Sequence, residues 1–274
     1  MLLDGTLFCS GSKKAVLIAI TGVHGNFYSN PFYEHIGVAL MQNGIDFIYA
    51  QTNDAFSQIN THNVRTNRCE LIGSFNEDFA HSDEDIDAYL NYAKKAGYER
   101  IYLAGHSLGA NKIIAYLSSH QDAGIEKFIL ISPAQLSYLR QGVSQAQRQT
   151  IKRYMSENRG DEMLEFELFG WLPCLARTAY GWVFSDKLDN AHSDIGADFS
   201  QIKSINHSGA IIIGTLDGFS QGDGEHFIRL MASHIKNGAS VGLIKDARHN
   251  FMGKEKELAS EILQILKGWE LDFA

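Results

Sequence analysis

The chain has 274 residues, 45% hydrophobic and 20% charged, with a formal net charge of −8. That length and balance suit one large α/β domain carrying an insertion, and the acidic excess without a basic stripe argues against a nucleic-acid partner. Cys9, Cys69 and Cys174 are far apart and form no C-x-x-C pair, so neither a disulfide framework nor a zinc ribbon is indicated. Free thiols in a reducing compartment are expected.

The amino end, Met1-Leu2-Leu3-Asp4-Gly5, lacks the basic region and long apolar core of a signal peptide. Ala15 to Ile20, the longest apolar stretch nearby, is too short to span a bilayer. The expectation is a cytoplasmic protein with no membrane span. Leu2 to Cys9 reads as an edge strand. Ala15-Val16-Leu17-Ile18-Ala19-Ile20 is apolar without alternation, as in a central strand buried on both faces. A Gly-containing loop, residues 21–28, follows. Asn30-Pro31 then opens a helix, with Asn30 as N-cap and Pro31 at the first helical position. Ile45 to Ala50 is the next strand.

Residues 51–81 are polar and poorly periodic and read as a long surface excursion. Ser82 and Asp85 resemble a capping box. Ile86, Tyr89, Leu90 and Ala93 form an apolar stripe at helical spacing, and Gly97 closes that helix. The strand Arg100-Ile101-Tyr102-Leu103-Ala104 runs into Gly105-His106-Ser107-Leu108-Gly109, and a helix continues to about Ser119. Lys127 to Ser132 is another buried strand. Strands alternating with helices predict a mostly parallel sheet with helices on both faces, an α/β fold.

After Pro133 the alternation stops. Residues 134–196 hold no core strand, a helix over Gln145 to Glu157, and two aromatic runs, Phe166 to Pro173 and Tyr180 to Phe184. This segment is expected to be an inserted helical cap, with residues 1–133 and 197–274 forming the core. The strand Ala210 to Gly214, a helix from about Gly224 to Lys236, the strand Val241 to Ile244 and a final helix complete the chain. Leu258, Ile262, Ile265, Leu266 and Trp269 share one face of that last helix.

The G-x-S-x-G at 105–109 lies between strand and helix, the setting of a nucleophile elbow. A serine hydroxyl needs a base to react at neutral pH. The usual base is a neutral imidazole, oriented by a carboxylate. In a parallel sheet such groups meet past the carboxyl ends of strands. Past Gly214 stands Asp217; past Ile244 stands His249. Asp223 and Glu225 are the alternative acids. The position after Ser132, where an acid could also stand, holds Pro133-Ala134. For the oxyanion, the expected donors are the backbone N–H of Leu108 and, from the loop after the first central strand, that of Asn26, with Phe27 as the alternative. His24 and His106 are expected beside the site as packing or supporting residues, and Lys112 to pack or to extend its ammonium to solvent. The histidines show no metal-ligand spacing.

The order of Val23-His24-Gly25, the elbow, Gly214-x-x-Asp217 and a late His249 resembles the alpha/beta-hydrolase superfamily over nearly the whole chain. More narrowly, Asn26-Phe27-Tyr28-Ser29-Asn30 and Gly109-Ala110-Asn111-Lys112 are similar to a subfamily of capped hydrolases that stands near fungal siderophore-ester hydrolases. The resemblance implies a hydrolase acting on a small-molecule carboxylic ester through a Ser107–His249–Asp217 triad, without a cofactor. Thioester hydrolysis, carbon–carbon hydrolysis and acyl transfer use the same machinery. A catalytically silent binding module on this fold is the reading from another class.

Overall fold

The computed structural model describes residues 3–271. The expected first strand is β1 (Gly5–Phe8); Met1 and Leu2 lie outside the described residues. Then come β2 (Ala15–Ile20), α1 (Phe32–Met41), β3 (Asp46–Ala50), a hairpin of β4 (Ile59–Asn63) and β5 (Arg68–Ile72), α2 (Ser82–Ala96), β6 (Arg100–His106), α3 (Leu108–Ser119) and β7 (Phe128–Ile131). The segment 134–196 supplies α4 (Leu136–Gln141), α5 (Gln145–Ser156) and α6 (Ala176–Phe184). The chain closes with α7 (Ser200–Ser204), β8 (Gly209–Gly214), α8 (Gly224–Ser233), β9 (Ala239–Ile244) and α9 (Glu255–Leu271).

Among the described residues the main sheet has seven strands in the order β1-β3-β2-β6-β7-β8-β9. Only β1 is antiparallel to its neighbour; the other pairs are parallel. The central strands β2, β6, β7 and β8 are buried along essentially their whole length, which explains their unbroken apolar sequences. One face packs against α2, α3 and α8 through Ile86, Leu90, Ile113, Leu117, Phe227 and Met231. The other packs against α1 and α9 through Ile36, Leu40, Leu258, Ile262 and Leu266. Ile265 and Trp269, placed on the same helical face by the sequence, lie against this second cluster, partly buried. Each fully buried Leu, Ile or Phe contributes about 1.5–3 kcal/mol, so the two sandwiched layers make a rigid base for the strand ends.

Three local expectations are corrected. Residues 51–81 are not simply a surface excursion: they contain the β4–β5 hairpin and two 3-10 turns, and Thr52, Asp54, Ser74, Phe75, Glu77 and Phe79 are buried. The hairpin strands are short and polar, so no alternation stands out. Ser82 and Asp85 form no capping box, because the Ser82 hydroxyl donates to Phe79 O and Asp85 Oδ2 accepts the Asn53 N–H at 2.8 Å. Asn30 does not cap α1. Pro31 occupies the cap position, and the Asn30 side chain instead accepts from the Ser29 hydroxyl. Gly97 does close α2 in the left-handed conformation, and Ser144 with Gln147 forms a complete capping box on α5.

The segment between β7 and β8 has its own apolar cluster, which includes Leu136, Ile151, Leu168, Leu172, Trp182 and Val183. Its isolated bridges, Met163–Leu175 and Leu168–Leu172, do not join the main sheet. Asn111 on α3 holds both ends of this segment. Its side-chain amide donates to Ala134 O at 2.8 Å and Leu188 O at 3.0 Å, and its carbonyl accepts the Ala134 N–H.

Candidate active site

β6 ends directly on Ser107, and α3 starts on the next residue. Ser107 has φ 56° and ψ −127°, a conformation that costs a non-glycine residue about 1–3 kcal/mol and persists only where the surroundings enforce it. Here they do. The Ser107 N–H donates to Ile131 O at 2.9 Å, and its carbonyl accepts from Ala110. The glycines on either side allow β6, β2 and α3 to cross at backbone contact. A Cβ on Gly105 would stand 2.5 Å from Gly109 O, and one on Gly109 would stand 2.4 Å from Ile20 O. The turn therefore projects the hydroxyl beyond the sheet edge.

Asp217 and His249 arrive from the ends of β8 and β9. The two loops pair with each other: Leu216 N–H donates to Ala247 O at 2.8 Å, and Asp246 N–H to Thr215 Oγ1 at 2.8 Å. Ser107 Oγ lies 2.8 Å from His249 Nε2. His249 Nδ1 lies 3.0 Å from Asp217 Oδ2 and 3.2 Å from Oδ1. A carboxylate can only accept, so Nδ1 carries the proton and Nε2 is free to accept from the serine. The structure thus brings Ser107, His249 and Asp217 into one hydrogen-bonded line.

Asp217 is 2% exposed. Burial pushes its carboxyl up, but the hydrogen bond and charge of His249, the Phe219 N–H and the Ser132 hydroxyl outweigh it and hold the group below the usual carboxylate range. The alternative acids are occupied elsewhere: Asp223 caps α8 through the His226 N–H at 2.9 Å, and Glu225 pairs with Arg229 at 2.8 Å. The Phe219 ring lies against His249, centroids 4.3 Å apart.

The loop after β2 approaches the elbow at Gly22, not at Asn26. A Cβ on Gly22 would lie 2.8 Å from Ser107 Cβ and 3.2 Å from Leu108 N. The Asn26 N–H is already committed to His24 O at 3.0 Å, and the Asn26 side chain braces the loop through His24 O, Ala55 O, Tyr28 N–H and Ser29 N–H. Phe27 packs its ring against Tyr49 and Phe8 on the sheet. The expectation of a donor at Asn26 is therefore corrected. His24-Gly25 marks the loop in the sequence, but its close approach to the elbow is two residues earlier, at Gly22. Neither Leu108 N–H nor Val23 N–H donates a backbone hydrogen bond among the described residues.

His106 Nε2 lies 2.8 Å from His249 O, and burial, followed by the His249 charge, pushes its pKa down to about 3. His24 Nε2 meets Ser74 Oγ at 2.7 Å, and its ring stands edge-on to Trp171. Burial lowers its pKa although the Asp54 charge opposes this. Lys112 neither snorkels nor simply packs. It is 1% exposed, and its Nζ lies 2.8 Å from Asp54 Oδ1 and 2.7 Å from Glu77 Oε1. Asp54 in turn takes the Thr52 hydroxyl, while its carbonyl accepts the His24 N–H. Sequence reading missed this cluster because its carboxylates come from the aperiodic stretch 51–81. Among the described residues no group of three or more His, Cys, Asp or Glu side chains is placed to hold a metal ion. Likewise no helix among them is long and apolar enough to cross a membrane.

No family model matches the sequence, and the search of curated proteins finds no match. Solved structures do match. Est1E from Butyrivibrio proteoclasticus, solved with ferulic acid bound, superposes with a TM-score of 0.65 at 14% identity, covering 97% of this chain and 96% of that one. A monoacylglycerol lipase from Paleococcus ferrophilus gives 0.60 at 15% identity, covering 96% and 98%. An esterase from Exiguobacterium antarcticum gives 0.60 at 15% identity, covering 97% and 95%. This chain has the alpha/beta-hydrolase fold. Within that fold β6 and the turn at Ser107 sit at the centre of the sheet, and residues 134–196 run between β7 and β8.

Proposed function

We propose that this alpha/beta-hydrolase-fold chain is a serine hydrolase that cleaves a small-molecule carboxylic ester, without a cofactor. The observation that carries the reading is the line from Ser107 Oγ to His249 Nε2, 2.8 Å, and from His249 Nδ1 to Asp217, 3.0 Å, built on a strained elbow. Strain retained at one half-buried serine, beside an imidazole held in the accepting tautomer, supports a nucleophile. The esterases and the lipase among the structural neighbours support the same reaction class.

In this mechanism Ser107 Oγ attacks the ester carbonyl as His249 Nε2 takes its proton. Asp217, ionised across the neutral range, stabilises the imidazolium that results. The tetrahedral oxyanion is bound by the Leu108 N–H, at the N-terminus of α3, and by the Val23 N–H, next to the Gly22 contact with the elbow. His249 returns the proton to the leaving alcohol, and the acyl group stays on Ser107. Water then gives its proton to His249, attacks the acyl carbon and releases the acid, and the proton returns to Ser107.

The segment 134–196 acts as a cap over this centre. Leu108 shares its apolar cluster with the insertion, and Val23, Phe169 and Phe219 lie at the margin of that cluster. Trp182 is fully packed within it, while Trp171 is 40% exposed next to His24. The packed aromatics hold the cap together, and Trp171, beside His24, is an exposed ring placed to meet a substrate.

The test is fluorophosphonate labelling of the full chain, with a panel of nitrophenyl esters varying in acyl length. Ser107→Ala is expected to abolish labelling and turnover while the thermal melt is preserved. Labelling retained in Ser107→Ala would overturn the nucleophile assignment.

A further inference from the structure

Two hydrogen bonds, not one, join the elbow to the loop that carries His249. The first is the line from Ser107 Oγ to His249 Nε2. The second runs from the residue before the serine: His106 Nε2 lies 2.8 Å from the carbonyl of His249 itself. A carbonyl only accepts, so Nε2 of His106 bears the proton, and the tautomer is set by its partner. His106 is 5% exposed and packs among Phe32, Phe251 and the His249 ring, with centroids 5.0, 6.2 and 5.0 Å away.

The loop it reaches is held on either side of His249 by the buried Ala247 and Phe251. Residues 245–254 link β9 to α9 and include three residues in the left-handed region, Asp246, Phe251 and Gly253. Its neighbouring backbone bonds are Ala247 N–H to Ile244 O, Leu216 N–H to Ala247 O, Phe251 N–H to Arg248 O and Lys254 N–H to Phe251 O. No other donor reaches the His249 carbonyl among the described residues. Arg248 and Asn250, on either side of His249, are exposed. The carbonyl of His249 is thus held by one imidazole, that of the residue before Ser107.

We propose that His106 is a positioning residue, whose Nε2–H sets the main chain of His249 at the distance from which its side chain can take the Ser107 proton. The proposal rests on the serine-hydrolase reading above, since it concerns the base of that reaction. The chain order makes the device direct: His106 is the last residue of β6 and Ser107 the next, so a shift of the elbow carries tether and nucleophile together. The neutrality of His106 serves the same end. Burial beside His249 keeps it uncharged across the neutral range, so it adds no repulsion when His249 becomes an imidazolium.

The experiment compares His106→Phe, His106→Asn and His106→Gln with the native full chain. Phenylalanine keeps the ring among Phe32 and Phe251 but has no donor. The amide nitrogen of glutamine falls close to the imidazole Nε2, and that of asparagine is too short to reach it. Initial rates on nitrophenyl acetate and the rate constant of fluorophosphonate labelling are measured, with thermal melts as the fold control. Loss of the tether is expected to lower kcat and the labelling rate about 10- to 100-fold in the Phe and Asn variants, with KM within about twofold. The Gln variant is expected to stay within about threefold of native kcat, because the donor is restored. Equal losses in Gln and Asn, or native kcat in Phe, would overturn the proposal. If Phe does not fold, the Gln-to-Asn ratio alone decides. Labelling that persists in Ser107→Ala would instead overturn the serine-hydrolase reading, whatever the His106 variants do.

Discussion

Lys112→Met tests how α3 is joined to the segment between β3 and α2. The Lys112 Nζ sits between Asp54 and Glu77, and the three side chains are 2%, 0% and 4% exposed. Methionine keeps the length and the apolar stem. It leaves the Asp54 carboxylate with the Thr52 hydroxyl as its remaining hydrogen-bond donor. Removing one partner of a buried ion pair costs about 3–5 kcal/mol. Burial, with the Asp54 charge, already pushes the Glu77 carboxyl up to about 8, so at neutral pH Glu77 holds a proton and only Asp54 is stranded. The lower end, about 3 kcal/mol, is therefore expected. For a domain of this size that lowers Tm by about 6–12 °C. Thermal melts by circular dichroism at pH 7 measure it. Lys112→Met/Asp54→Asn, which removes both charges, is expected to recover at least half of the loss. A single variant melting within about 2 °C of the native protein, or a double variant no better than the single, would refute the ion-pair account.

Four further outcomes follow from the same geometry. Glu77 keeps its proton to about pH 8 when folded but loses it near 4.5 when unfolded, so the unfolded state gains as pH rises through that window. Glu77→Gln is expected to flatten the fall of the urea midpoint between about pH 5 and 8; native and variant midpoints falling in parallel would refute it. Ser107→Gly releases a serine held at φ 56°, and is expected to raise stability by about 1 kcal/mol while turnover is lost; an unchanged melt would show that the elbow is not strained. Gly109→Ala places a methyl 2.4 Å from Ile20 O and 2.6 Å from Thr21 O, both backbone atoms that cannot step aside. A loss of about 2 kcal/mol or more and a slower fluorophosphonate reaction are expected, read by urea titration and labelling. Asp217→Asn is expected to lower kcat about 10^4-fold at neutral pH with the fold intact, because an amide at that place can stabilise the wrong tautomer of His249; nitrophenyl ester kinetics measure it.

What the sequence by itself determined was local and periodic. Ala15 to Ile20 and Ala210 to Gly214 declare strands buried on both faces because no polar residue interrupts them. Gly105 to Gly109 between a strand and a helix declares a tight turn at Ser107. Asp217 and His249 were legible because a parallel sheet gathers at one edge whatever lies just past its strand ends, so chain order alone narrowed the search to a few residues. The tertiary structure decided what depends on approach between distant backbones. It brought Gly22 to the elbow and left Asn26 bonded within its own loop, a difference of four residues that no side-chain pattern encodes. It turned Asp54, Glu77 and Lys112 from separate polar residues into one buried cluster, and it led His106 to the carbonyl of His249. Side-chain periodicity reports which face of an element is buried. Which backbone N–H remains free, and which charge meets which across 50 residues of chain, is settled only when the elements pack.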